Sequence, residues 1–163
     1  MIKRILPLLP VAAFPYALWL VGGIEERFGL NPVLAVALLW LLGLAGAVAT
    51  LWQGLRGRWQ GRRLALASMI IKLVQIQNYV VLFLGAAGLG LLFPAIAVFI
   101  WLFDVMTIFL SGLVGLAGVI RCRVEGRLTT KAAVVNGILQ FVFCADVFSA
   151  VWVYRNTKEV FLS

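Results

Sequence analysis

Residues 64–120, LALASMIIKLVQIQNYVVLFLGAAGLGLLFPAIAVFIWLFDVMTIFLSGLVGLAGVI, decide the fold, because they are almost entirely apolar. Lys72 and Asp104 are the only charged residues in this run. A helix needs ~20 residues to cross the hydrocarbon core of a bilayer, and the run is nearly three times as long. The chain must therefore cross twice within it. Residues 85–90 and Pro94 mark the predicted turn, because glycine and proline interrupt helices.

The composition of the whole chain is that of a membrane protein. Of the 163 residues, 64% are hydrophobic and 12% are charged, and the mean hydropathy is +1.08. Soluble domains contain about 45–50% apolar and about 25% charged residues. A soluble domain of this size buries only about 70% of the surface of its unfolded chain, so it could not hide this much apolar surface. We predict an all-α polytopic membrane bundle, with one membrane domain over residues 1–163 and no soluble domain.

Five membrane spans are predicted, at residues 5–24, 32–51, 64–84, 95–120 and 132–154. The first could instead be a signal peptide, but its apolar run exceeds the usual length of about 7–15 residues. Its three prolines could kink a membrane helix whose neighbours bond the released backbone groups. Asn31 and Pro32 are typical of a helix start. Gly43 and Ala47 offer a small-residue surface for close helix packing.

The distribution of basic residues predicts the orientation. With the N-terminus inside, the cytoplasmic side receives Lys3, Arg4, Arg56, Arg58, Arg62, Arg63, Arg121, Arg123, Arg127 and Lys131. Only Arg27, Arg155 and Lys158 fall outside. Short cytoplasmic loops are rich in lysine and arginine, so we predict an inner-membrane protein with a cytoplasmic N-terminus and an outside C-terminus. The basic turns could also bind anionic lipid headgroups, but topology alone explains them. The net charge of +8 therefore does not indicate nucleic-acid binding.

The two basic turns share a sequence motif. Residues 56–62 read RGRWQGR and residues 121–127 read RCRVEGR, so both fit R-x-R-x-x-G-R at an offset of 65. The same offset relates Gln75 to Gln140. This pattern predicts a parallel repeat of two helical hairpins, as some transporters have, in which both motif glycines bend the chain alike. The alternative is convergence, because any short cytoplasmic turn needs arginine and glycine.

Polar residues on spans three to five predict a site inside the membrane. An ionisable side chain costs at least ~2.5–3.5 kcal/mol at the bilayer centre, so it suggests function. The helical period aligns polar faces on these spans, and the candidate residues are Lys72, Gln75, Asp104, Thr107, Gln140 and Asp146. We expect Lys72 to approach Asp104 or Asp146. The functional interpretation is a proton- or cation-coupled site. The alternatives are a static salt bridge, a lysine that reaches the surface, and unpaired residues.

Enzyme chemistry is not indicated by the sequence. It contains no histidine, and it has no HExxH or GxSxG motif. Cys122 and Cys144 would lie roughly 30 Å apart along the helices, too far for a disulfide. We predict no catalytic site, metal site or cofactor.

Three functional classes remain open. They are a small transporter or channel-like component, a non-catalytic subunit of a larger transport or enzyme complex, and, with the weakest support, a lipid-modifying enzyme that uses Asp104 and Asp146. Five short helices enclose little volume, so a homodimer or a larger membrane complex is expected.

Overall fold

The computed structural model describes residues 6–29, 31–90 and 93–157, which form helices joined by turns. In chain order they are α1 (Leu8–Ala13), a 3-10 turn (Phe14–Tyr16), α2 (Ala17–Phe28), α3 (Pro32–Leu55), α4 (Gly61–Gly90), α5 (Pro94–Val124), α6 (Thr130–Leu139) and α7 (Ala145–Asn156). The all-α prediction is confirmed for these residues. Helices α3, α4 and α5 are long and apolar enough to cross a membrane.

Two long helices fill most of residues 64–120, but the predicted turn at residues 85–90 is helical. Helix α4 continues through residues 85–90, and α5 begins at Pro94 after its N-cap Phe93. Glycine in a helix costs about 1 kcal/mol relative to alanine, whereas an unbonded peptide group in lipid costs several. The glycine-rich segment therefore stays helical.

The predicted first span is a chain of short helical pieces. Helix α1, the 3-10 turn and α2 cover residues 8–28, and none of them is long enough to cross a membrane alone. Pro15 lies at the kink and has no N–H to give to the carbonyl of Val11, four residues earlier. Gln75 Nε2 of α4 donates to that carbonyl at 3.0 Å. The prediction that a neighbour bonds the released backbone group is confirmed here. Residues 1–5 lie outside the described part of the chain.

The small-residue surface of α3 packs inside the molecule. A Cβ atom at Gly46 would overlap the carbonyl oxygen of Pro7, and one at Gly43 would lie 2.8 Å from Leu110 Cδ1. Ala47 is completely buried. Close packing at the predicted Gly43–Ala47 surface is confirmed, and its partners are the N-terminal segment and α5.

The predicted fifth span is not one helix. Helix α6 ends at Leu139, α7 begins at Ala145, and the chain reverses between them. Arg127 Nη1, before α6, donates to the carbonyl of Thr157, after α7, at 3.4 Å. A straight helix would hold these two residues roughly 45 Å apart. Residues 130–156 are therefore a helical hairpin that returns to the end of the bundle where the basic turns lie, called here the basic end.

The tip of the hairpin lies beside the middle of α4. The rings of Phe143 and Tyr79 meet edge to face with 5.8 Å between their centroids. At 1.5 Å per residue, this level is roughly 16 Å short of Gly90, the end of α4. A fifth crossing by residues 132–154 is therefore not confirmed, and the predicted outside C-terminus, which was derived from five crossings, loses its basis.

The two basic turns adopt the same motif in a different register from the sequence match. Helices α3 and α5 end with glycines of positive φ, Gly57 at 71° and Gly126 at 74°. In each turn, the amide after that glycine donates to the carbonyl five residues earlier, at 3.0 and 2.9 Å. This is the Schellman arrangement. The structural offset is thus 69, and Gly61 instead opens α4. The expectation that the motif glycines bend alike is wrong, and the repeat is not supported.

Candidate functional site: a buried ion pair at the hairpin tip

A fully buried ion pair joins α4 to the hairpin. Lys72 Nζ lies 2.8 Å from Asp146 Oδ2, and neither side chain is exposed. The same ammonium group donates to the main-chain carbonyl of Gln140 at 3.1 Å. The predicted approach of Lys72 to one of the two aspartates is therefore confirmed for Asp146. One lysine holds both the end of α6 and the start of α7.

The two charges lie at the helix ends that favour them. Gln140 is the C-cap of α6, where carbonyl groups without helical partners accumulate negative potential. Asp146 lies in the first turn of α7, where unpaired N–H groups give positive potential. The lysine ammonium and the aspartate carboxylate thus each complement a helix terminus as well as one another.

The reversal between the two arms is tight and strained. Cys144 has φ 62° and ψ −40°, and the amide of Ala145 donates to the carbonyl of Phe143 at 2.8 Å. This is a γ-turn of the rare kind with positive φ at its centre. Such a conformation costs about 1–3 kcal/mol for a residue other than glycine, so the surrounding contacts must hold it.

Polar side chains connect the two arms below the tip. Gln140 Nε2 donates to Ser149 Oγ at 3.1 Å, and Ser149 Oγ donates to Asn136 Oδ1 at 2.8 Å. Each of these residues is buried. The bonds satisfy groups that would otherwise face an apolar interior, so they fix the register of α6 against α7.

Three buried oxygen atoms around the pair have no hydrogen-bond partner in the described structure: Asp146 Oδ1, Gln140 Oε1 and Ser68 Oγ. Two of them lie against Gly115 of α5, where a Cβ atom would overlap Gln140 Oε1 and lie 3.0 Å from Ser68 Oγ. Buried polar atoms usually have a partner, so these three oxygens depart from the common pattern.

The other predicted site residues lie elsewhere. Gln75 is buried but bonds the kink at Val11, and Thr107 Oγ1 donates to the carbonyl of Phe103 in its own helix at 3.0 Å. Asp104 is partly exposed, and its buried Oδ1 has no partner among the described residues. The structure therefore brings together Lys72, Gln140 and Asp146. The sequence analysis did not identify Ser68 or Ser149, because each is a single serine on an otherwise largely apolar helix and carries no further signal.

Glu125 joins the two basic turns, a role that the sequence did not indicate. Its Oε1 accepts from the amide of Gly61 at 2.9 Å and from Arg121 Nε at 3.0 Å. Its Oε2 accepts from Arg127 Nε at 3.0 Å. One carboxylate thus connects the start of α4 to the end of α5 and partly neutralises two of the arginines.

Other predicted basic residues also have partners within the chain. Arg56 lies 4.4 Å from the ring centroid of Trp52, Arg62 lies 5.7 Å from that of Tyr154, and Arg123 Nε donates to Thr130 Oγ1 at 3.0 Å. Lys131 is exposed. Arg58 and Arg63 line a groove beside the first turn. The basic end is therefore a structured surface as well as a topology signal.

Over the described residues, the fold and the site define a class: an all-helical protein with three helices long and apolar enough to cross a membrane and a fold-back hairpin that carries a buried ion pair. Comparison with protein-family models, curated proteins and solved structures finds no match. No group of three or more His, Cys, Asp or Glu side chains in the described ranges could hold a metal ion.

Proposed function

We propose that this protein is a small transporter in which the Lys72–Asp146 pair binds and couples a proton or a monovalent cation. The observation that carries the proposal is the position of the pair. Both side chains are fully buried beside a helix interruption at mid-height of α4. Transporters use such interrupted helices to present charged groups and helix ends to their ions.

The unpartnered oxygens give the site its chemistry. Asp146 uses Oδ2 for Lys72, and its Oδ1 is available to accept a proton or to contact a cation. Gln140 Oε1 and Ser68 Oγ are further neutral oxygen ligands nearby. Carboxylate, carbonyl and hydroxyl oxygens suit hard cations, whereas no sulfur or imidazole group of the described chain contributes here.

The same geometry supplies a coupling mechanism. A proton or cation on Asp146 removes the electrostatic attraction that holds Lys72. Lys72 keeps its bond to the carbonyl of Gln140, so the start of α7 is released while the end of α6 stays attached. Occupancy of the site thereby changes how firmly the hairpin tip is held against α4.

The two alternative functions have less support. Docking on a larger complex would suit an uncovered small-residue surface, but the surface at Gly43 and Gly46 is already covered by the N-terminal segment and α5. A lipid-modifying enzyme would need two cooperating aspartates. Asp146 is engaged with Lys72, whereas Asp104 forms no part of that cluster.

The test is ion movement in proteoliposomes that contain a pH-sensitive dye. An imposed Na⁺ or K⁺ gradient should drive proton movement in vesicles with the wild-type protein. The double variant Lys72→Met with Asp146→Leu removes both charges together and replaces them with apolar side chains of similar volume. It should therefore fold but lose this proton movement. Gln77→Leu is the matched control, because Gln77 is an exposed polar residue of the same helix.

Two results would overturn the proposal. One is a folded wild-type protein that moves no more protons than empty vesicles under either gradient. The other is a double variant that retains wild-type movement, since the charged pair would then be only structural.

A further inference from the structure

A groove opens beside the first basic turn, away from the hairpin. Its volume is ≈ 990 Å³. This lies at the upper end of the range of about 300–1,000 Å³ that is typical of ligand pockets. One wall is the N-terminal segment, with Leu8, Leu9 and Ala12, and the roof is the turn at residues 57–60.

The floor of the groove is a single stripe of α4. Its residues recur at helical spacing: Arg63, Leu66, Ala67, Ile70 and Ile71. From Arg63 to Ile71 the stripe descends roughly 12 Å along the helix axis. The groove is therefore basic at the end beside the first basic turn, called here its mouth, and apolar along the part of α4 that follows.

Three arginines surround the mouth: Arg58, Arg63 and Arg121. Arg121 lies against Gly57, where a Cβ atom would be 3.1 Å from its Nη1, so the glycine gives the guanidinium room to reach this side. Glu125 accepts from Arg121 but is shared with Arg127. Arg63 and Arg121 alone outweigh that shared carboxylate, so the mouth keeps a net positive charge.

We infer that this groove binds one anionic phospholipid, with its phosphate among the arginines and an acyl chain along the apolar stripe of α4. Charge and shape agree on this occupant, because only an amphiphile with an anionic head matches both the mouth and the depth. Trp59 supports the placement. Its indole is held by Gln53 Oε1 at 3.1 Å, and tryptophan is enriched at the headgroup level of membranes.

The experiment is native mass spectrometry of the purified chain after incubation with equimolar dioleoyl phosphatidylglycerol and dioleoyl phosphatidylcholine. The wild-type protein should retain one phosphatidylglycerol in preference to phosphatidylcholine. Arg63→Gln and Arg121→Gln should each lower that preference about fivefold, as expected for one basic residue beside an anionic lipid surface. Arg123→Gln removes the same charge from a residue that bonds Thr130, so the preference should not change.

A second pair of variants tests the depth of the groove without changing charge. Ala67→Trp should fill the floor and reduce the retention of both lipids. Ala87→Trp, on an exposed face of the same helix, should not. Equal retention of the two lipids by the wild type overturns the proposal, as does an effect of Arg123→Gln equal to that of Arg63→Gln. Unchanged retention by a folded Ala67→Trp variant overturns it too.

Discussion

Helix α4 and the hairpin at residues 130–156 begin alike and end differently. Each follows a Schellman turn, but α4 continues for 30 residues, whereas α6 stops after 10. The local sequences suggest the opposite. Helix α4 contains glycines at 85, 88 and 90, while the interruption at residues 140–144 reads QFVFC and has neither glycine nor proline. In an apolar medium, a helix is therefore interrupted where its backbone groups find other hydrogen-bond partners, and not simply where glycine or proline occurs.

The partner that decides the difference comes from α4 itself. Lys72 supplies a donor to the carbonyl of Gln140 and a counter-charge to Asp146. A straight helix would satisfy the carbonyl but would not bring these two groups together at the lysine. The continuous helix α4 thus provides the lysine that stabilises the interruption between α6 and α7.

The largest expected effect concerns the side of the membrane on which α4 and the hairpin each end. A fusion of alkaline phosphatase after Asn156 should be inactive, and a fluorescent protein there should fluoresce, because the hairpin returns to the basic end, predicted to be cytoplasmic. A phosphatase fusion after Phe93, beyond α4, should be active. An active phosphatase after Asn156 would mean that residues 130–156 cross like α4.

Removal of one member of the ion pair should come next. Lys72→Met leaves Asp146 charged and buried, so it should destabilise the protein by about 3–5 kcal/mol. The double variant with Asp146→Leu should recover most of that loss. Thermal unfolding in detergent measures both. A single variant as stable as the wild type would show that the pair does not hold the hairpin.

A smaller loss is expected at the kink that α4 supports. Gln75→Leu leaves the carbonyl of Val11 without its donor and should cost about 1–3 kcal/mol. In a Pro15→Ala background the restored N–H can bond that carbonyl, so Gln75→Leu should then cost less, and the remaining cost reflects the acceptor that the Tyr79 hydroxyl loses. Equal costs in the two backgrounds would contradict this role for Gln75.

Two glycines should distinguish the hairpin side of the bundle from the far end of α4. Gly115→Ala places a methyl group on Gln140 Oε1 and should destabilise by about 1–3 kcal/mol. Gly88→Ala meets nothing within 4 Å and should stabilise α4 by about 0.5–1 kcal/mol. Thermal unfolding should show a lower unfolding temperature than the wild type for Gly115→Ala and a higher one for Gly88→Ala. A Gly115→Ala variant as stable as the wild type would contradict the packing of the hairpin against α5.

The smallest effect is expected at the reversal. Cys144→Gly should stabilise by about 1 kcal/mol, because glycine tolerates positive φ and the side chain that it replaces is exposed. Cys144→Val should change stability in the opposite direction, because β-branched residues tolerate positive φ poorly. Two variants of equal stability would show that the turn is relaxed.

Local patterns predicted much of this structure. Apolar length predicted the two long helices between residues 64 and 120, and small residues at 43 and 47 indicated a packing surface. Rare charges singled out Lys72, Asp104 and Asp146, of which Lys72 and Asp146 form a pair. The hairpin could not be predicted in this way. It depends on two contacts that are distant in the sequence: Lys72 with Gln140, 68 residues away, and Lys72 with Asp146, 74 residues away. The 140–144 segment itself carries no local signal for a turn.

The repeat shows how a sequence pattern can mislead. R-x-R-x-x-G-R matched the two turns at an offset of 65, but the glycines that terminate the helices are Gly57 and Gly126. Gly61 serves a different purpose, since a Cβ atom there would lie 2.7 Å from the amide of Cys122. Glycine needed for φ and glycine needed for close packing look the same in a sequence.

The depth of the hairpin gives the molecule a tapered outline. Near the basic end, the cross-section contains both arms of the hairpin, and beyond Tyr79 it contains neither. In a bilayer, lipid tails would fill the space beyond the tip, so the protein would displace the two leaflets by different amounts. A body that is wider in one leaflet sits most easily where that leaflet is convex. The protein should therefore concentrate in curved membrane of that sense, through its shape alone.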